Sequence, residues 1–345
     1  MKKRWIFMII SVLILSMLTG CKLNSEKNAK ETQVDKQSEQ VEAKADDGNL
    51  DNPVEIETYK STFTYDKIPQ RVVSLNYEAT QLLVALGLED KIVGVATAEG
   101  EVGDCLEEYQ ETLSKLKIIT EGTPTLEVLL KSNPDFVFGT CWSFMECGVA
   151  EPKDFIENNI KYYAMLGTYS ENASVSDTYH DIECLGKIFK VEDRAEELIE
   201  KLKKREDNYR VDKPEGSAIK VFAYDSGDKE AYTAGRGLET DIIEIAGGKN
   251  IFGDIEKSFA PVSWEQIALR NPDIIIIHDY NTGDTNGSLE DKINELKSNP
   301  ALQEVEAIKN DRFVVVKLVE VFPGLQMFDA VDKIHEAIIE YSKSK

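Results

Sequence analysis

The chain has 345 residues, 42% of them hydrophobic, and a formal net charge of −23. This length and apolar content suffice for two globular domains with separate cores. The acidic excess excludes nucleic acid as a partner, because a strongly negative surface cannot replace the counterions of a phosphate backbone. It remains compatible with a membrane protein that presents arginines.

The first twenty residues predict export. Basic residues at positions 2–4 precede an apolar run from Trp5 to Met17, which is typical of a secretory signal peptide. The sequence Leu18-Thr19-Gly20-Cys21 has the pattern of a bacterial lipobox, in which the cysteine is lipidated and becomes the mature N-terminus. We therefore expect Cys21 to anchor the protein at the extracytoplasmic face of the cell membrane. An uncleaved membrane anchor is the alternative interpretation.

A polar segment follows the signal peptide. Residues 21–53 consist largely of Lys, Glu, Gln, Asp, Asn and Ser. Such a segment buries too little apolar surface to offset the entropy lost on ordering. It is predicted to be a disordered tether.

Strand and helix patterns then alternate over residues 54–170 and predict an N-terminal α/β lobe. After a weakly alternating hairpin, the strand Arg71–Leu75 leads into a helix that stops at Gly87, and another strand follows at residues 91–96. This arrangement forms a parallel βαβ unit, whose ligand-binding edge lies where strands end. The segment Asn76-Tyr77-Glu78 is therefore expected at a cleft.

One stretch occurs twice and organises the chain. Residues 125–138 and 263–276 each contain a Ser or Thr helix cap, a glutamate in the first helical turn, the sequence Asn-Pro-Asp, and an apolar strand. The prolines disfavour helix at the residue before them, and the apolar runs suit strands buried on both faces. Two copies indicate a duplicated build, with a second α/β lobe over residues 213–345.

Between the lobes, helical spacing predicts a connector over residues 171–212 that breaks into two helices near Lys190. In the C-terminal lobe we expect strands at 219–224 and 312–316 and helices at 238–246 and 331–341. The predicted fold class is α/β, with two Rossmann-like lobes that have parallel central sheets, a helical connector, and a ligand cleft between the lobes.

The chain resembles one family through the residues 71–80, Leu86-Gly87-Leu88, both copies of the repeat, and the segment Gly247–Phe252. These segments are similar, in order and spacing, to the class III substrate-binding proteins of ABC importers for ferric siderophores, haem and cobalamin. The resemblance extends from Val54 to Tyr341. It implies a monomeric binding protein without enzymatic activity or a permanent cofactor. Such a protein delivers an iron chelate to a permease, and a ferric siderophore is the leading candidate. Haem or cobalamin is the alternative ligand.

The resemblance also implies a role for the repeated acid. Glu127 and Glu265 match the glutamates through which members of this family contact arginines of the permease. An acid at a helix start also stabilises the helix dipole, by a few tenths to ~1 kcal/mol, and the two roles are compatible.

The ends of the predicted strands supply candidate ligand-binding residues. Aromatic side chains and one cation would suit a large, flat, anionic chelate. The candidates are Asn76, Tyr77, Trp142, Ser143, Phe144, Met145, Tyr224, Arg236, His278 and Tyr280. Trp142 and Phe144 could instead pack inside the lobe, and Arg236 could pair with surface carboxylates.

Metal ligation has few candidates in the sequence. His278 and Met145 are the obvious axial ligands for a haem, with Tyr77 or Tyr280 as phenolate alternatives. The three histidines are too few and too scattered for a zinc or manganese site. Four cysteines besides Cys21 are either free thiols or partly paired, and a bridge between Cys141 and Cys147 is one option; the four are Cys105, Cys141, Cys147 and Cys184.

The alternative from another class is a nucleotide-dependent α/β enzyme. Against it, Gly235-Arg236-Gly237 lacks the third glycine of a dinucleotide-binding loop, and Gly247-Gly248 lies at a helix end. The sequence also contains no Gly-x-Ser-x-Gly elbow and no Walker-type loop. An enzymatic function is therefore disfavoured.

Overall fold

The computed structural model describes residues 49–97, 101–211, 218–280 and 288–344. The predicted signal peptide, the lipidation site Cys21 and most of the tether lie outside the described residues. Within these ranges, no helix combines the length and apolar character needed to cross a membrane. The described residues all belong to one compact unit.

An antiparallel hairpin opens the described chain. Strand β1 (Asn49–Thr58) pairs with strand β2 (Ser61–Lys67), and Ile56 and Tyr65 are buried in the main core. The strand begins inside the stretch predicted as tether, so the tether prediction is wrong for residues 49–53. Asn49 pairs with Lys67 of β2, and composition alone does not reveal such cross-strand pairing.

The first parallel sheet is built from five strands in the N-terminal half. They are β3 (Val72–Ser74), β4 (Ile92–Thr97), β5 (Ile118–Glu121), β6 (Phe136–Gly139) and β7 (Lys161–Ala164), in the spatial order β5-β4-β3-β6-β7. The helices of this half are α1 (Tyr77–Ala85), α2 (Glu107–Leu113), α3 (Leu126–Leu130) and α4 (Pro152–Glu157). Gly87 adopts a φ of 66° just after α1, where glycine is favoured and the helix stops, as predicted.

Two helices connect the halves. Helix α5 (Val175–Phe189) and helix α6 (Glu192–Val211) are separated at Lys190, whose φ of 55° is left-handed. The predicted break is thus confirmed. Both helices share the main apolar core with strands of both halves, including Phe136 from the N-terminal half and Ile276 from the C-terminal half.

The C-terminal half contains a second parallel sheet. The strands of this half are, in chain order, β8 (Ile219–Tyr224), β9 (Ser226–Gly227), β10 (Ala231–Ala234), β11 (Gly248–Asn250), β12 (Phe259–Val262), β13 (Ile274–Asp279) and β14 (Phe313–Lys317). The parallel sheet consists of β8, β11, β13 and β14. The spatial order is β11-β8-β13-β14, and the three remaining strands form a separate antiparallel sheet, β12-β10-β9. That small sheet was not predicted, because strands of two to four residues have too short an alternation to recognise.

The helices of this half are α7 (Leu238–Ile245), α8 (Trp264–Arg270), α9 (Leu289–Ser298), α10 (Glu306–Lys309) and α11 (Met327–Ser344). Helix α11 begins four residues before the predicted start at Val331, because Met327 and Phe328 are fully buried against the core. The predicted α/β class with parallel sheets is confirmed.

The two copies of the repeat have the same local structure. The hydroxyl of Thr125 accepts a hydrogen bond from the Val128 amide, and that of Ser263 accepts one from Gln266, each at 3.3 Å. Asn133 and Asn271, one residue before the prolines, have φ angles of 47° and 46°. The predicted caps and helix ends are confirmed in both copies.

The aspartate of each Asn-Pro-Asp holds the neighbouring central strand. Asp135 accepts hydrogen bonds from the backbone amides of Gln70 and Arg71, both at 2.9 Å, directly before β3. Asp273 accepts one from the amide of Lys220, the second residue of β8, also at 2.9 Å. The same carboxylate thus fixes the start of the same strand in both halves.

A cation completes each junction. The Arg71 guanidinium donates to the carbonyl of Ser132 at 2.6 Å, and the Lys220 ammonium donates to the carbonyl of Arg270 at 2.8 Å. Ser132 and Arg270 occupy matching positions near the ends of α3 and α8. A positive charge there stabilises the negative end of a helix.

A buried carboxyl ties the connector to the first sheet. Asp181 of α5 is fully buried, and its Oδ1 accepts hydrogen bonds from the Tyr163 hydroxyl at 2.8 Å and from the Leu166 amide at 2.9 Å. Burial raises the pKa of Asp181 to about 8, although these hydrogen bonds oppose the shift.

We predict that Asp181→Asn removes a pH dependence of stability. The folded pKa lies above the unfolded value, so the contribution of Asp181 is complete below about pH 4 and is lost as pH rises through about 8. Relative to the wild type, the amide variant should gain about 1 kcal/mol per pH unit in this window. Urea unfolding at pH 5, 6.5 and 8 measures this gain, and parallel pH profiles of the two proteins would contradict it.

Candidate functional site

A pocket lies at the carboxyl edge of the first parallel sheet, where ligand sites of open α/β sheets occur. It has a volume of about 200 Å³. Its wall comes from the segments after β3 and β6, from Thr123, and from Phe322 of the C-terminal half. The lining residues are Leu75, Asn76, Glu78, Thr123, Thr140, Trp142, Ser143, Cys147, Gly148 and Phe322.

An asparagine with an unused acceptor lies in this wall. Asn76 stands at the N-cap position of α1, but its side chain does not cap the helix as predicted. Its Nδ2 instead donates to Glu78 Oε2 at 2.6 Å. Asn76 is only 6% exposed, and its Oδ1 has no hydrogen-bond partner among the described residues. An unsatisfied buried acceptor costs about 1–3 kcal/mol, which a ligand donor would recover.

A rigid loop carries the aromatic part of the wall. Trp142 is 48% exposed, and its ring meets that of Phe322 edge to face at 5.8 Å. The loop is closed by hydrogen bonds from the Ser143 amide to Thr140 and from Val149 to Ser143. Gly148 permits this closure, because a Cβ there would lie 2.1 Å from the Trp142 carbonyl oxygen. Trp142 and Ser143 are thus held in place before a ligand arrives.

Phe144 and Met145 point away from the pocket. A 3-10 turn spans Cys141–Phe144, and residues i and i+3 of such a turn share a face. Cys141 and Phe144 are therefore buried together, and Phe144 stacks on Tyr162 at 4.4 Å. Met145 packs against the same apolar cluster. The prediction of Phe144 as a ligand wall is wrong, and its alternative role in lobe packing is confirmed.

Tyr77 and Tyr224 are also core residues. Tyr77 belongs to a small apolar cluster with Cys105 and Leu113 on the α2 side of the sheet. Tyr224 is fully buried, and its hydroxyl donates to Glu295 at 2.6 Å. Neither lies in the pocket wall. A position at the end of a strand predicts the edge of the sheet at which a residue lies, but not the direction of its side chain.

His278 is the centre of a buried polar cluster. Its ring is fully buried, with Nδ1 at 3.1 Å from Asp225 and Nε2 at 2.7 Å from Glu239. The Tyr280 hydroxyl also donates to Asp225. These contacts engage both ring nitrogens and the Tyr280 hydroxyl, which contradicts the prediction of His278 and Tyr280 as axial ligands of a haem.

The cluster contains strong charges. Burial alone would lower the pKa of His278, but the adjacent Glu239 and Asp225 raise it to about 9. Burial would raise the pKa of Asp225, yet hydrogen bonds from His278 and Tyr280 lower it to about 2. An ionised histidine between two carboxylates joins the ends of β8 and β13 to the start of α7.

Arg236 lies on the exposed surface of the C-terminal half, between β10 and α7. On the adjacent small sheet, Tyr232 and Phe259 are 49% and 47% exposed. Phe259 pairs with Ala234, which is two residues after Tyr232 in β10 and therefore lies on the same face of the sheet. Tyr232 and Phe259 thus share one face. Sequence analysis missed both aromatics, and the only available signal was an apolar residue at every second position.

The two repeat glutamates lie outside the pocket, on the surface. Glu127 and Glu265 stand in the first turns of α3 and α8, and both are exposed. Glu127 forms an exposed ion pair with Lys131 at 3.0 Å. At the position that matches Lys131 in the repeat, the second copy has Leu269, which is 86% exposed.

The four described cysteines are free thiols. Cys105, Cys141 and Cys184 are buried, and Cys147 is exposed in the pocket wall. The proposed bridge between Cys141 and Cys147 is not formed, since the Cys141 thiol donates to the Thr168 carbonyl at 3.1 Å. In the ranges that the structure describes, no cluster of three or more His, Cys, Asp or Glu side chains could hold a metal ion.

Comparison with known proteins gives consistent matches. A family model described as periplasmic binding protein matches residues 72–318. An uncharacterized ABC transporter substrate-binding lipoprotein of Bacillus subtilis, YvrC, is 24% identical over 98% of both chains. A vitamin B12-binding protein of Yersinia pestis is 25% identical, over 60% of this chain and 69% of its own. The crystal structure of a periplasmic binding protein from Veillonella parvula has a TM-score of 0.76 and 30% identity, and covers 83% of this chain and 98% of its own.

We predict that His278→Gln destabilises the fold by about 3–5 kcal/mol at pH 6, because it leaves the buried Glu239 and the partly buried Asp225 without their cation. The contribution of His278 is complete below about pH 6.5 and is lost as pH rises through about 9. The loss should therefore be smaller at pH 10. Urea unfolding at both pH values measures it, with His335→Gln as the control. Equal destabilisation at pH 6 and pH 10 would refute the assigned charge state.

Proposed function

Since the chain belongs to the periplasmic binding protein family, whose members bind substrates and are not enzymes, we propose that it captures a metal chelate and delivers it to the permease of an ABC importer. A ferric siderophore, or a haem or corrinoid of similar size, is the proposed cargo. The observation that carries this proposal is the preformed pocket, with the exposed ring of Trp142 beside the unpartnered Oδ1 of Asn76.

The pocket holds only part of such a cargo. Its volume of about 200 Å³ is below the ~300–1,000 Å³ of sites that enclose a whole drug-sized ligand. The rest of the chelate would lie over other exposed aromatic surface. We assign this role to Tyr232 and Phe259, with Arg236 beside them, because β9 and β10 follow directly from the carboxyl end of β8. Phe322 supports this assignment, since it brings the C-terminal half to the pocket.

The location is proposed from the same similarities. The Bacillus subtilis relative is called a lipoprotein and matches 98% of this chain. This supports an extracytoplasmic location and, together with the lipobox, lipidation at Cys21. The negative net charge is compatible with this location, because the proposed permease contacts involve arginines.

The two surface glutamates are proposed to contact the permease. They occupy matching positions in the two halves, so the protein presents one acid from each half. Neither reaches the pocket wall, so docking and ligand binding use different residues. The second surface includes the nearly fully exposed Leu269, four residues after Glu265 and hence on the same helical face. A leucine in this position suits a partner site with an apolar rim around its cation.

For the ligand site, we predict that Trp142→Ala weakens chelate binding about tenfold, because it removes a preformed stacking surface. Trp264→Phe is the matched control, since Trp264 is buried and lies outside the pocket wall. Isothermal titration calorimetry with the chelate that the wild type binds measures both. An unchanged affinity in Trp142→Ala would remove this pocket from the proposal.

For docking, we predict that the double variant Glu127→Ala/Glu265→Ala keeps its ligand affinity and fold but abolishes uptake through the importer. The control is Glu111→Ala, another exposed glutamate that is paired with a lysine four residues later, as Glu127 is. Uptake of the radiolabelled chelate by cells that carry each variant distinguishes them. Normal uptake with the double variant would refute docking through these acids.

A further inference from the structure

We propose that the polar groups of the pocket select chelates that present hydrogen-bond donors or a positive charge, and disfavour anionic chelates. This inference rests on the proposed function and narrows its cargo. It concerns the group that enters the pocket beside Asn76.

Glu78 determines the orientation of the Asn76 amide. Glu78 Oε2 is a carboxylate oxygen, and it accepts a hydrogen bond from Asn76 Nδ2 at 2.6 Å. Rotation of the amide by 180° would place its carbonyl oxygen against the carboxylate, which is electrostatically unfavourable. The carbonyl oxygen is therefore held in the free position, and only a donor from the ligand can satisfy it.

The other wall residues do not reverse this preference. Among the described residues of the wall, none is Lys, Arg or His, and Glu78 is the acidic residue. The hydroxyls of Thr123, Thr140 and Ser143 can donate or accept and so do not discriminate. The exposed ring of Trp142 accepts either a flat apolar group or a cation on its face. An anionic group would lose its hydration near Glu78 without gaining a cationic partner.

This chemistry separates the possible cargoes. Primary amides of a neutral corrinoid and the ammonium or amide groups of a cationic ferric hydroxamate supply the required donors. The propionates of haem and the oxygens of a ferric tris-catecholate carry negative charge instead. Arg236, which sequence analysis proposed as the contact for an anionic chelate, is not part of the pocket wall.

The test is a binding panel with four probes: cyanocobalamin, a cationic ferric trihydroxamate, haemin and a ferric tris-catecholate. We expect the wild type to bind at least one of the first two about tenfold or more tightly than either of the last two, as measured by calorimetry at one ionic strength. Preferential binding of haemin or of the catecholate would overturn the inference but leave the proposed function intact. Binding of none of the four would contradict the proposed function itself.

The variant Glu78→Gln tests the mechanism of selection. Its side-chain amide can donate to Asn76, so the Asn76 amide is free to turn and to offer its NH2 group to the ligand. We expect the preference for donor-bearing over anionic probes to fall about tenfold. Glu111→Gln makes the same chemical change at an exposed site and should keep the wild-type ratio. An unchanged ratio in a folded Glu78→Gln protein would overturn the role of Glu78.

Discussion

The carboxylates of Asp135 and Asp273 are the constraint on which both halves of the structure depend. Each accepts backbone hydrogen bonds at the start of a central strand, β3 or β8. Each follows a proline that ends a short helix with a glutamate in its first turn. Because one carboxylate fixes the strand relative to the helix, the opposite end of that strand delivers its side chains to a defined place. In the N-terminal half, this place is the pocket wall at Asn76.

Local signals made much of the fold predictable. Caps, Asn-Pro-Asp and apolar strands lie within fourteen consecutive residues of each copy, so periodicity and turn chemistry were sufficient. The break between α5 and α6 was likewise local. In contrast, the start of α11 depends on burial of Met327 and Phe328 against distant strands, and β10 and β12 are defined by their pairing with each other. Such elements follow from tertiary contacts, which a single sequence does not display.

The site divides in the same way. Topology placed Asn76, Trp142 and Ser143 at the carboxyl edge of the sheet, and all three line the pocket there. It could not give side-chain direction, so Phe144 was assigned to the ligand although a 3-10 turn directs it into the core. His278 lies between two carboxylates, one of them on a distant helix, and Phe322 meets Trp142 across 180 positions of sequence. The surroundings of these side chains depend on the folded conformation, which composition does not reveal.

In the proposed function, three tasks fall to different residues. The repeat aspartates hold the scaffold, the repeat glutamates are proposed to contact a permease, and the loops after β3 and β6 are proposed to bind the cargo. The proposal that this chain carries a metal chelate can be tested by native mass spectrometry of the protein isolated from its own host. We expect one additional non-covalent mass per chain, with the isotope pattern of a metal chelate. A bound nucleotide or another metal-free molecule in its place would contradict it.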